Sequence, residues 1–114
     1  MSTPTRDELA ERAVACKHWQ WLAGMAVLNP DMPNIWYPRI GGERTPQHRF
    51  LLPRLSDPAT LGCLLTLVRD AHRDAYAYAS FHDDGWGVFD WGDLLIAEGR
   101  SEQEALVKAL EAAP

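Results

Sequence analysis

Cys16, His18, Cys63, His72, His82 and Asp83 carry the side chains in this chain best suited to hold a metal ion. Zinc is gripped in a tetrahedron by ligands that come in close pairs, such as Cys-x-x-Cys or His-x-x-x-His. Cys16-Lys-His18 is one irregular pair with no second pair to complete it, so the spacing predicts neither a metal nor a cofactor. Cys63 reads as a small hydrophobe instead. A Cys63 nucleophile would need His72 beside it as base. Along one helix the two lie about 13–14 Å apart at ~1.5 Å per residue, beyond reach. Asp83, Asp84 and Asp90 offer carboxylates for acid–base work, but such groups need burial or a like-charged neighbour to move their pKa. Asp83-Asp84-Gly85 reads as a hairpin turn facing water. A Gly-rich phosphate loop, a Gly-x-Ser-x-Gly elbow and a His-Glu-x-x-His helix are all missing from the sequence. The expectation is therefore a protein that is not an enzyme, with a small hydrolase or metal protein as the lesser alternative.

Two stretches suit recognition better than catalysis. Asp83, Asp84, Trp86, Asp90, Trp91 and Asp93 mix carboxylates with large aromatic rings. Trp and Tyr are common interface anchors, so this set is the candidate partner-binding surface, aimed at an Arg/Lys-rich groove. The second patch is Trp36, Tyr37, Arg39, Arg44 and Arg49, where arginines could neutralise phosphate and rings stack on bases. A net charge of -5 argues against direct nucleic-acid binding. Charge is also uneven: residues 1–73 hold nine Lys/Arg and seven Asp/Glu, residues 74–114 two and nine. Separated in space, these halves would give a dipole able to steer toward a charged partner. Against a surface role, a small core needs bulky side chains, and three of the five tryptophans are expected to fill it.

These residues need a scaffold. Thr5-Arg-Asp-Glu8 is a capping box, and Leu9, Ala10, Ala13 and Val14 continue at helical spacing to about Cys16. Trp19 and Trp21 alternate with Gln20 as in extended chain, both rings on one side. Met25-Ala-Val-Leu28 reads as a strand and Ile35-Trp-Tyr37 as its returning hairpin arm, across a turn-rich 29–34. Residues 38–53, rich in Pro and Gly, read as a surface loop with an extended piece near Phe50-Leu-Leu52. Asp57 can cap a second helix with Pro58 at its first position and a stripe of Leu61, Leu64, Leu65, Val68, Ala71 and His72. Residues 75–81 and 86–91 form a hairpin around His82-Asp-Asp-Gly85, and Gly92-Asp93 turns into Leu94-Leu-Ile-Ala97. Ser101-Glu-Gln-Glu104 caps a last helix through Ala105, Leu106, Ala109 and Leu110. The order α-β-β-α-β-β-(β)-α predicts an α+β fold: an antiparallel sheet of four to five strands packed by two to three helices.

At 114 residues, with 46% apolar and 24% charged side chains, the chain fits one globular domain, 1–114. Its longest apolar run is far short of a bilayer span, and the charged N-terminus lacks a leader's apolar stretch. The ending at Pro114 is expected to close a complete domain. Two cysteines without an export signal are expected to stay reduced in the cytoplasm.

Asp57-Pro-Ala-Thr-Leu-Gly-Cys-Leu-Leu-Thr-Leu-Val-Arg-Asp-Ala71 and Glu104-Ala-Leu-Val-Lys-Ala-Leu-Glu-Ala-Ala113, with Arg6-Asp-Glu-Leu-Ala-Glu-Arg-Ala13 and Trp19-Gln-Trp-Leu-Ala-Gly-Met25, resemble small uncharacterised proteins of bacteriophages and prophages. The layout is similar to phage domains described as an α-β-α sandwich. The resemblance implies a non-enzymatic, acidic protein in the cytoplasm of a bacterial host that binds and modulates one host complex. Anti-CRISPR inhibitors of host defence are one such group. A phage assembly accessory, self-associating into a homo-oligomer, is the alternative.

Overall fold

A computed structural model of the chain describes residues 4–28 and 52–114. Local capping starts each helix where the sequence places it. Helix α1 (Arg6–Ala15) begins at Thr5, whose hydroxyl accepts from the Glu8 N–H at 3.1 Å. Helix α2 (Pro58–His72) begins at Asp57, whose carboxylate accepts from the Thr60 N–H at 3.0 Å, and it ends at Arg73 in a left-handed conformation, φ 55°. Helix α3 (Glu102–Ala112) begins at Ser101, which accepts from the Glu104 N–H at 3.1 Å. Glu104 does not reach back to complete its box; it turns to Lys108 at 3.1 Å.

The strands differ from expectation in their partners. Strand β1 (Val27–Leu28) pairs antiparallel with β2 (Leu52–Pro53), Val27 opposite Pro53. Leu52 and Pro53 are buried, so the end of the expected 38–53 loop is core, and β1 finds its mate beyond the proposed arm at 35–37. That arm, and the rest of the loop, lie outside the described residues. Strands β3 (Tyr78–His82), β4 (Gly85–Phe89) and β5 (Leu95–Gly99) form an antiparallel meander in sequence order. Among the described residues the architecture is thus α+β, with a three-stranded sheet and a separate two-stranded ladder in place of one sheet of four to five strands. A two-residue rung is too short to extend a sheet, and turn signals report only neighbours in sequence.

Helix α3 occupies the centre. Leu106, Val107, Ala109 and Leu110 are fully buried, with Leu9, Ala10 and Ala13 of α1, Leu64, Leu67 and Val68 of α2, and Val88 of β4 around them. The buried face of α2 includes Thr60 and Leu67, a turn of the expected stripe, in which Leu61, Leu65 and Ala71 are only partly covered. Trp19 and Trp21, in a segment outside any helix or strand, meet edge to face with 5.3 Å between ring centres, both packed on the core. A bidentate Arg12–Glu111 pair joins α1 to α3 at the surface. Gly99 lets α3 approach β5: a Cβ there would stand 2.8 Å from the Ala105 nitrogen.

Candidate functional site

Period-two alternation gives the meander two unlike faces. Ala79, Trp86, Val88, Ile96 and Ala97 pack toward the helices. The opposite face carries Tyr78, His82 and Phe89, with Leu95 across from Phe89. The Phe89 ring stacks on Tyr78, centres 5.4 Å apart, and lies 5.3 Å from His82. It covers Gly87, where a Cβ would come within 2.8 Å of the ring, so the bare glycine backbone seats this row. Leu95 remains 51% exposed, and no described helix covers this face.

The six expected partner-binding residues do not form one patch. Asp83 and Asp84 make the tight β3–β4 turn, with Asp83 left-handed at φ 53°. Asp90, Trp91 and Asp93 lie in the β4–β5 turn, at the other end of β4. Five residues of strand hold the two ends about 13 Å apart at ~3.3 Å per residue. Trp86 is not an exposed anchor: it sits on the core-facing side of β4, half-buried against the core and tilted on Phe81 at 5.7 Å. The acidic β3–β4 tip therefore presents Phe81, 60% exposed, which sequence reading left out.

At the β4–β5 end, Trp91 is 75% exposed, on a turn held by hydrogen bonds from every side. Asp90 Oδ1 accepts from the Gly92 and Leu94 N–H groups, each at 2.9 Å. The Trp91 N–H donates to Asp74 Oδ2 at 2.9 Å, and Asp74 Oδ1 accepts from Tyr76 N–H at 3.0 Å. Asp93, left-handed at φ 64°, accepts the Tyr78 hydroxyl at 2.6 Å. That bond pushes the phenol's pKa above its ordinary value, because losing the proton would set two anions together. Tyr76, 76% exposed, and Leu94 complete this end. Sequence reading missed Asp74 and Tyr76; the signal was an Asp two residues before an aromatic at a helix exit, which is a turn-forming pattern. Among the described residues no ion pair uses Asp83, Asp84, Asp90 or Asp93.

The remaining candidates separate. Cys16 and Cys63 are not joined in a disulfide. Cys16 donates toward the Leu110 carbonyl and Cys63 toward that of Ala23, while His18 lies 3.4 Å from the Ala113 carbonyl. His72 donates to the Ala109 carbonyl at 2.7 Å. Among the described residues no group of three or more His, Cys, Asp or Glu gathers as metal ligands, and no helix is long and apolar enough to cross a membrane. Trp36, Tyr37, Arg39, Arg44 and Arg49 lie outside the described residues. No protein-family model, curated protein or solved structure matches this chain.

Proposed function

We propose that this chain is a non-enzymatic binding protein that docks on a basic surface of a host macromolecular complex through the β4–β5 end of its sheet. Trp91 carries the proposal: an indole three-quarters in water on a turn whose hydrogen bonds fix it beforehand. A rigid, solvent-facing Trp loses little freedom on binding and is a common hot-spot type. The carboxylates around it favour an Arg/Lys-rich partner over nucleic acid, and the Tyr78–Phe89–Leu95 row, which no described helix covers, extends the contact area. The small, acidic and non-catalytic character is what the likeness to phage and prophage proteins implies. The role is then interference with a host defence complex, of the anti-CRISPR kind, in the bacterial cytoplasm, by filling a groove that otherwise receives nucleic acid.

Capture from bacterial lysate, with co-eluting proteins identified, tests this. A basic nucleic-acid-binding protein is expected, its capture lost on Trp91→Ala and competed by RNA or DNA. Capture unaffected by Trp91→Ala removes this end of the sheet from the mechanism. One observation favours a second reading, a self-associating accessory protein: the uncovered outer face with Leu95 exposed. Sedimentation that changes with concentration, and stops changing on Leu95→Glu, would select it.

A further inference from the structure

The exit of α2 and the β4–β5 turn enclose an open cleft of about 650 Å³. Tyr76 and Trp91 line it with largely exposed rings, and neither ring stacks on another described aromatic. Asp74 and Asp90 supply carboxylates on the same lining. Asp90 commits Oδ1 to two backbone N–H groups, which orients the carboxylate, and among the described residues Oδ2 makes no hydrogen bond. His72, also on the lining, is held by its Nε2–H, which donates to the Ala109 carbonyl at 2.7 Å.

We infer that this cleft takes one arginine side chain of the docking partner. The inference rests on the proposed function for the partner's identity, though the chemistry is the cleft's own. A guanidinium is a flat cation with two faces for aromatic rings and N–H donors around its edge. The two rings and the fixed carboxylates match each of those properties. An ammonium is a compact, strongly hydrated charge without a face to stack. A phosphate would meet Asp74 and Asp90 and be repelled. Among the described residues Arg73 is the one Lys or Arg on the lining, and it opposes the guest.

Amide and indole NMR shifts of the full chain, titrated with the capped peptide Gly-Arg-Gly, test the inference. The Trp91 indole N–H and the amides of residues 90–94 are expected to shift saturably. Peptides with lysine or with citrulline, the neutral analogue of arginine, should bind at least about fivefold more weakly, the scale of one lost cation–π contact. Asp90→Asn keeps an oxygen for the turn and should weaken arginine binding by a similar factor, while Arg73→Ala should strengthen it. Equal binding of the citrulline peptide, tighter binding of the lysine peptide, or no saturable shift at Trp91 overturns the inference. Host capture that depends on Trp91 without an arginine-peptide response overturns this inference alone. Peptide binding without capture of any basic host protein overturns the proposed function alone.

Discussion

The Tyr78 hydroxyl holds Asp93, and with it the turn that presents Trp91, through a single exposed bond. An ordinary phenol titrates near pH 10. Because folding raises the Tyr78 pKa, the bond's contribution is complete below that value and disappears as pH climbs through the higher folded pKa. Ultraviolet titration should therefore show a late phenol that Asp93→Asn moves back down. Thr60 shows the reach of a single buried hydroxyl. Its oxygen accepts from the Ala26 N–H at 2.8 Å and donates to Asp57 at 2.9 Å, tying the start of α2 to the chain before β1. Thr60→Val keeps the volume and orphans the buried amide. About 1–3 kcal/mol should be lost, read from the urea midpoint. Asp57 was legible as a cap because its partner is three residues away. Thr60 was not, because its partner lies 34 residues earlier and nothing local marks it.

Among the elements, α3 bears the largest packing role, touching both other helices and all three strands of the meander. Leu106 and Leu110 are fully buried within it. Leu106→Ala should cost about 2–5 kcal/mol and leave a cavity at the helix–sheet seam, measurable as a lowered thermal midpoint with far-ultraviolet dichroism preserved below it. All three helix starts were legible, since a cap is decided by residues within one turn. So was the β3–β4 hairpin, from alternation on both sides of two turn-forming aspartates. The β1–β2 ladder was not: Val27 and Pro53 carry no mutual signal, and their pairing is set by the core that buries both. The face of α2 came out shifted because Thr60 scores as polar while its hydroxyl is fully satisfied inside.

At the scale of the molecule, the sheet sets Asp83 and Asp84 at the opposite end of β4 from Asp90 and Asp93. The expectation of one acidic, aromatic patch came from proximity in sequence, whereas a five-residue strand sends consecutive turns in opposite directions. The composition alone was enough to show excess negative charge, and only strand direction shows where it collects. The ends can therefore be separated by experiment. Asp83→Lys with Asp84→Lys should change the rate of association with a basic partner and its salt dependence, while leaving dissociation nearly unaltered. Trp91→Ala should act mainly on dissociation, because it removes a desolvated contact and not a long-range field. Stopped-flow mixing at two ionic strengths distinguishes them, and identical profiles for the two variants would refute the division of labour.

Asp83 holds a left-handed backbone that glycine adopts without penalty, and its exposed carboxylate has no ion-pair partner among the described residues. Selection for heat resistance alone would drive this position toward glycine, for a gain of up to about 1 kcal/mol. Selection for tight capture would retain the acid. Propagating a randomised position 83 under each pressure in parallel should yield two different winners, and convergence on one residue would mean that the turn serves only the fold.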